Sequence, residues 1–72
     1  MEAYAYKFGK RLRAARRKAG LTQKELAKAA GTYQEEISRW ENGYKLPGVY
    51  TLYKMAKAMN VSVGWLVAGG RD

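Results

Sequence analysis

The sequence lacks the residue types on which most catalytic and metal sites depend. It contains no cysteine and no histidine, which excludes disulfides, cysteine-ligated metal sites and every nucleophile that relies on a histidine base. Only six acidic residues are present, and no two of them have an evident role in a cleft. We therefore expect no enzymatic activity, no metal or other cofactor, and no small-molecule ligand.

Long apolar runs and strand patterns are absent as well. No apolar stretch approaches the roughly 20 residues that a helix needs to span a bilayer, and no signal-peptide pattern opens the chain. No alternating β-branched run predicts a strand. A chain of 72 residues is long enough for one small core. We expect a single all-α domain over residues 1–72 that is cytoplasmic and does not enter a membrane.

The charge, in contrast, is strongly one-sided. The chain carries 14 Lys+Arg against 6 Asp+Glu, a formal net charge of +8, and residues 1–20 hold seven of the basic residues against Glu2. Such an excess attracts polyanions, either nucleic acid or an anionic membrane surface. A charge excess is equally consistent with a solvated surface, so it indicates a partner only together with a structural pattern.

That pattern lies in the middle of the chain, where the residues from Thr22 to Gly43 predict two short helices around a tight turn. Thr22 can cap the first helix, and Glu25, three residues later, completes a capping box. Gly31 is suited to end this helix because glycine readily adopts positive φ.

The second helix of the pair follows with almost no linker. Thr32 and Glu35 repeat the capping-box spacing, and Asn42-Gly43 is a natural terminator. Two helices joined by so short a turn must cross steeply, which is the helix-turn-helix arrangement. Glu35 then has two open roles, as the partner of a Thr32 cap or as a side chain free to contact a ligand.

Three further helices complete a predicted five-helix bundle. Helix 1 covers residues 4–19, helix 4 runs from Val49 to Met59 and ends at Asn60, and helix 5 covers residues 63–68 between Ser62 and Gly69-Gly70. Apolar residues at helical spacing predict the faces of helices 1 and 4 that meet the core, with Met55 flanking: Phe8, Leu12, Ala15, Ala19, Val49, Leu52, Ala56 and Met59. Phe8, Trp40 and Trp65 are interpreted as core aromatics.

The order of these residues is similar to that of the phage repressor/Cro (XRE-type) DNA-binding family. The resemblance extends from about Phe8 to Val67 and is carried by the following residues: Leu21-Thr22-Gln23, Glu25-Leu26-Ala27, Gly31, Ile37-Ser38, Glu41-Asn42-Gly43, Pro47, Leu52, Ala56 and Leu66. It implies a helical bundle of the lambda-repressor type that binds double-stranded DNA. No single dipeptide in this series is diagnostic, and the resemblance depends on the order of the whole series.

The second helix of a helix-turn-helix reaches base edges in the major groove. In this sequence the side chains near its start are Gln34, Glu35, Ser38 and Arg39. Glutamine can pair with adenine, an arginine fork with guanine, and a carboxylate with cytosine N4. The resemblance implies base contacts at Gln34, Glu35 and Arg39.

The resemblance also implies phosphate contacts at Gln23 and in the loop from Asn42 to Lys45. Tyrosines beside this basic region, Tyr33 and Tyr44, can either pack or give a hydroxyl to a phosphate. Glu36 is interpreted as solvated, or as a group that shapes specificity by repulsion.

One carboxylate needs a partner. Glu41 lies on the core side of its helix and at the negative end of the helix dipole, which is doubly unfavourable for an unpaired charge. Arg16, at the edge of the apolar stripe of helix 1, is the best-placed partner, and members of the family are similar at both positions. We expect a structural ion pair, with an exposed Glu41 as the alternative.

Helix 5 carries Trp65, Leu66 and Val67 in succession, and consecutive residues of a helix point about 100° apart. They cannot all face one core. The resemblance implies that Leu66 lies inside, since it matches a core position of the family, and this leaves Val67 and Val63 for a second copy. A symmetric homodimer on a palindromic operator is thus predicted, with the dimer weak or formed only on DNA.

Two other classes of function stay open. Similar proteins act as antitoxins or adaptors whose main partner is a protein, and Tyr4, Tyr6 and the end of helix 5 could serve that role. A membrane-surface peptide would use basic helix 1, but the helix-turn-helix pattern does not fit it. The leading hypothesis is a transcriptional regulator that binds DNA.

Overall fold

The computed structural model describes residues 3–69, and five α-helices cover most of this range. The helices are α1 (Ala3–Lys18), α2 (Gln23–Ala30), α3 (Gln34–Glu41), α4 (Val49–Met59) and α5 (Val63–Ala68). No strand occurs among the described residues. The predicted all-α five-helix bundle is confirmed. Gly70, predicted to end the fold together with Gly69, and the outer ends of the predicted domain over 1–72 lie outside the described residues.

Helix α1 begins and ends one residue earlier than its predicted range of residues 4–19. Phe8, Leu12 and Ala15 are buried as predicted, but Ala19 is exposed because the helix ends at Lys18. Gly20 follows with φ 75°, and this left-handed residue turns the chain after the helix. The last turn of α1 carries three basic residues, which suits the negative end of the helix dipole.

The predicted start and end of α2 are confirmed in detail. The Thr22 hydroxyl accepts a hydrogen bond from the Glu25 backbone N–H at 3.0 Å, and the Glu25 carboxylate accepts one from the Thr22 N–H at 2.9 Å. Gly31 has φ 70° and ends the helix in the left-handed conformation. The turn between α2 and α3 is therefore set by local residues.

The predicted cap of α3 is wrong. Its N-cap is Tyr33, in extended conformation and without a side-chain cap hydrogen bond. Thr32 lies one residue too early because its backbone N–H still belongs to the end of α2, where it donates to the Ala27 carbonyl at 2.9 Å. Glu35 consequently has no capping partner, and its role as a ligand contact stays a prediction.

The core forms where all five helices contribute large apolar side chains. Phe8, Leu12, Leu26, Ile37, Met55 and Leu66 are almost completely buried. Val49 was predicted to face this core and is instead 84% exposed, whereas Met55 was predicted to flank it and is fully buried. Val49 starts α4 before the helix reaches the other elements, and Met55 lies one turn after Leu52, in the middle of the packed face.

Helix α5 has the cap that the sequence predicts, since the Ser62 hydroxyl accepts from the Trp65 N–H at 2.9 Å. Leu66 is fully buried and Val67 is exposed, as expected. Trp65, predicted in the core, is only half-buried and packs against the core from outside. A six-residue helix exposes one side to solvent, and Trp65 lies at its margin.

The last turn of α5 is tied to α1. Arg11 Nε donates to the Leu66 carbonyl at 2.8 Å, and Arg11 Nη2 and the Tyr4 hydroxyl donate to the Val67 carbonyl at 2.9 and 2.8 Å. These carbonyls have no partner within the helix, so the side chains of α1 replace solvent there. No helix among residues 3–69 is long and apolar enough to cross a membrane.

Candidate nucleic-acid interface

Helix α3 packs against α1 and α2 and presents its outer side to solvent. Ile37, Trp40 and Glu41 are its buried residues. Gln34, Glu35 and Arg39 are exposed, and Ser38 is half-buried between the two sides. Three of the four predicted base-contacting side chains therefore share one free surface at the start and middle of α3.

The predicted ion pair between α1 and α3 is present. Arg16 donates to the Glu41 carboxylate through Nε, to Oε2, and through Nη2, to Oε1 at 3.2 Å, and both side chains are almost fully buried. Arg16 Nη1 also donates to the Leu21 carbonyl at 2.9 Å. The two-point geometry matches the fork of arginine to a carboxylate and fixes the start of α2 relative to α3.

Glu41 accepts from two further side chains. Gln23 Nε2 donates to Oε1 at 3.0 Å, and Arg13 Nε donates to the same oxygen at 3.2 Å. Burial raises the pKa of Glu41, but the hydrogen bonds from Arg16, Gln23 and Arg13, with the charge of Arg16, lower the pKa further than burial raises it. Glu41 is thus a buried carboxylate held in its charged form.

The Glu41 network continues to the surface through Asn42. Arg13 Nη2 donates to Asn42 Oδ1 at 3.2 Å, and Asn42 Nδ2 donates to Ser38 Oγ at 3.3 Å. Gln23 and Asn42, both predicted to contact phosphate, and Ser38, predicted to contact a base, therefore belong to one hydrogen-bonded chain. Gln23 keeps its amide oxygen and a second N–H outside this chain.

A second cluster lies on the outer side of α3 and the loop after it. Arg39 Nη1 donates to Glu36 Oε2 at 2.9 Å, and Lys45 Nζ donates to Glu36 Oε1 and Oε2 at 2.9 and 3.3 Å. Hydrogen bonds from Lys45 and Arg39 lower the pKa of Glu36. Glu36, interpreted from the sequence as solvated or repulsive, is instead the shared partner of a predicted base contact and a predicted phosphate contact.

The two predicted tyrosines lie in the open. The exposed fraction is 75% for Tyr33 and 71% for Tyr44, at the N-terminus of α3 and in the loop after it. Of the two roles left open by the sequence, packing into the core is therefore excluded. Both hydroxyls are accessible to a ligand at the edge of α3.

Sequence reasoning missed two residues of this site. Arg13 was not named as a partner of Glu41, although it lies three residues before Arg16 and so shares a helix face with it. Glu36 was interpreted without a partner, although Arg39 lies three residues later on α3, and this spacing is a signal for an ion pair. In both cases the helical spacing could be read from the sequence. The third member of each cluster, Glu41 in one and Lys45 in the other, lies on a different element.

The predicted dimer residues are on α5. Val63 is half-buried and packs at the edge of the core, and Val67 is exposed. Among residues 3–69, no group of three or more acidic side chains could hold a metal ion.

The chain is similar to known regulators over this whole region. A helix-turn-helix family model matches residues 12–66. The chain is 42% identical over 64 residues to the HTH-type transcriptional regulator ImmR of Bacillus subtilis (strain 168), covering 89% of this chain and 49% of that protein. The chain thus spans about half the length of that curated relative.

Two solved structures share the fold at similar identity. The P22 c2 repressor in complex with a synthetic operator aligns with a TM-score of 0.82 and 34% identity, covering 86% of this chain and 94% of that one. The restriction-modification controller protein C.AhdI from Aeromonas hydrophila aligns with a TM-score of 0.85 and 31% identity, covering 90% and 98%. This chain belongs to the helix-turn-helix family of phage repressor/Cro (XRE-type) proteins.

Proposed function

We propose that the chain binds double-stranded DNA in a sequence-specific way and regulates transcription, as a repressor. The observation that carries this proposal is the outer side of α3, where Gln34, Glu35 and Arg39 are exposed to solvent beside the basic loop residue Lys45. The likeness to a repressor in complex with a synthetic operator supports DNA as the ligand.

In this proposal α3 enters the major groove, where each base pair has a distinct pattern of donors and acceptors. Gln34 offers an amide that matches adenine, and Arg39 offers a fork that matches guanine. Glu35 accepts from the exocyclic amine of cytosine. Ser38, at the half-buried margin, reaches the groove beside Arg39.

Phosphates are contacted by the groups around α3. Gln23 at the start of α2, Tyr33 at the start of α3, and Asn42, Tyr44 and Lys45 after it surround the exposed side chains. Such contacts hold the helix in register without reading sequence. The formal net charge of +8 supports attraction to a duplex of any sequence.

The test is selection of bound duplexes from a random pool, followed by affinity measurement on the enriched sequence and on a scrambled duplex. We expect one enriched motif. Arg39→Lys is a matched variant because it keeps the charge and loses the planar fork. It should bind scrambled DNA as the wild type does and lose preference at one base pair. Recovery of no motif by the wild-type protein would contradict sequence-specific binding.

We further propose that the protein binds a twofold-symmetric operator as a homodimer through Val63 and Val67. The exposed valine on the short helix α5 supports this, since an apolar surface next to the core favours a partner. Two recognition helices related by a twofold axis would lie roughly 34–36 Å apart, one turn of B-DNA.

Half-site spacing tests the dimer. Inserting about five base pairs between the half-sites turns them to opposite sides of the duplex and should abolish cooperative binding. Inserting about ten restores the same side and serves as the control. Unchanged affinity after the five-base-pair insertion, with one monomer on each half-site, would disprove the dimer and leave the recognition helix untouched.

A further inference from the structure

Glu36 occupies a position where an acidic residue is unexpected in a surface meant for DNA. It lies in the first turn of α3, close to the exposed base-contacting candidates. Its carboxylate would approach phosphates or base edges whenever α3 entered the groove. A negative charge at that place costs binding energy unless donors meet it.

The Glu36 carboxylate accepts hydrogen bonds from side chains of two different elements. Arg39 lies one turn further along α3 and is held through Nη1 at 2.9 Å, and Lys45 comes from the loop and contacts both carboxylate oxygens. All three side chains remain partly exposed, at 25% for Glu36, 54% for Arg39 and 49% for Lys45. The carboxylate therefore engages two cations that would otherwise be available to other anions, such as phosphates.

The cluster leaves Arg39 with a free edge. Within residues 3–69 its Nε and Nη2 donate to no protein acceptor, and only Nη1 is engaged. Guanine needs two donors, for O6 and N7. The Nε and Nη2 pair can supply them while Nη1 stays on Glu36, so base recognition does not require the cluster to open.

A phosphate contact, in contrast, competes with the cluster. Lys45 uses one ammonium group on both oxygens of Glu36, and moving it to a phosphate exchanges one anion for another. The exchange also leaves the Glu36 charge beside the backbone, where like charges repel. In operator binding Arg39 can read guanine and still hold Glu36 through Nη1, whereas in non-specific binding both Arg39 and Lys45 turn to phosphates and leave Glu36 unpaired. Non-specific binding thus loses more to Glu36 than binding that includes a guanine.

From this geometry we propose that Glu36 is a specificity-determining positioning residue, which weakens binding to non-specific DNA by holding Arg39 and Lys45 in a carboxylate-centred cluster. The inference rests on the proposed function and deepens it. In this proposal Glu36 raises the ratio of specific to non-specific affinity and does not raise the affinity for the operator. Glu36 acts through its two partners and contacts no base.

The experiment compares wild-type protein with Glu36→Gln on the selected operator and on a scrambled duplex of equal length, at several salt concentrations. We expect the affinity for scrambled DNA to rise about five- to tenfold at ~0.1 M salt, and its salt dependence to steepen by about one counterion. Affinity for the operator should rise less. The specificity ratio therefore falls.

Glu35→Gln is the matched control on scrambled DNA alone, because it changes the net charge equally from the neighbouring position, and residues 3–69 supply no hydrogen bond to its carboxylate. On the operator it removes a proposed base contact and is not compared there. Equal gains for Glu35→Gln and Glu36→Gln on scrambled DNA would overturn the inference. So would equal changes on both duplexes, or a loss on the operator with no gain on scrambled DNA. If the wild type itself fails to discriminate, the proposed function is what fails.

A measurement on the free protein tests the cluster without DNA. The pKa of the Glu36 carboxyl, followed by NMR, should lie below its ordinary value and rise toward it in Lys45→Met, because the main hydrogen bond that lowers it is then gone. Thermal unfolding checks that each variant is folded. An unchanged pKa of Glu36 in folded Lys45→Met would show that the cluster does not form and would overturn the inference.

Discussion

Gly9 of α1 lies directly against the backbone of Trp40 in α3, so that a Cβ added at Gly9 would be 2.6 Å from the Trp40 carbonyl oxygen. Real Cβ atoms essentially never approach other atoms so closely, and the atoms in the way belong to the backbone of α3, which cannot move aside as a flexible side chain can. The missing side chain therefore allows α1 and α3 to touch. This close approach carries Arg13 and Arg16, on the same face of α1, to the carboxylate of Glu41.

Gly9→Ala should destabilise the protein although alanine favours helix. The gain in helix propensity is about 1 kcal/mol, whereas forcing helices apart costs about 1–3 kcal/mol or more and also stretches the Arg16–Glu41 pair. We expect a lower midpoint of urea unfolding. Gly48→Ala is the control for steric clash, because a Cβ there meets nothing within 4 Å and φ is −69°, so any loss is limited to the preference for glycine over alanine at the N-cap of α4. A Gly9→Ala protein as stable as the wild type would show that the helices can separate freely.

Arg16 and Glu41 should behave as one energetic unit. Removing one partner leaves the other charge buried, which typically costs about 3–5 kcal/mol, a large share of the stability of so small a domain. A double-mutant cycle with Arg16→Met, Glu41→Leu and the combined variant, followed by urea unfolding, measures their coupling. The double variant should lose far less than the sum of the single losses. Strict additivity is the result that would contradict the pairing.

Acid should weaken the fold through Glu41. Its pKa in the folded protein is below the ordinary value of 4.5, despite burial. A group of this kind stabilises the fold above its unfolded pKa, and the contribution disappears as the pH falls through the folded pKa. The difference in unfolding free energy between wild type and Glu41→Gln should be constant near neutral pH and shrink below about pH 4.5. The pKa of Glu36 is lowered as well. Because Glu36 is present in both proteins, its contribution cancels in the difference between their unfolding free energies.

Arg39 and Lys45 should fail in different ways when they are shortened. Arg39→Ala is expected to cost about 1–3 kcal/mol at one base position and to relax preference there. Lys45→Ala or Gln23→Ala should weaken binding similarly on all sequences. Affinities on a set of operators with single base changes separate the two patterns. A uniform loss for Arg39→Ala would move this residue to the phosphate contacts.

Most of the fold could be predicted because its signals are local. The capping box of Thr22 and Glu25, the left-handed Gly31 and the Ser62 cap each depend on residues within a few positions, and each is present in the structure. Helical geometry predicted that Trp65, Leu66 and Val67 cannot all be inside, and the resemblance selected Leu66 as the inner residue. Errors arose where an element ended, as at Ala19, or where two adjacent signals competed, as at Thr32 and Tyr33.

The sequence by itself determined the five helices, the turn between α2 and α3, and the need of Glu41 for a buried partner, because spacing and charge are readable along one chain. The choice of Arg16 as that partner rested also on the resemblance, since the pair spans 25 positions. Only the tertiary structure decided which neighbours share a carboxylate. Lys45 reaches Glu36 across nine positions, and Arg13 reaches Glu41 across 28. The burial of Met55 rather than Val49 was decided in the same way, since the angle of α4 against the other helices selects its inner face. Such contacts depend on how rigid elements dock, which no local pattern encodes.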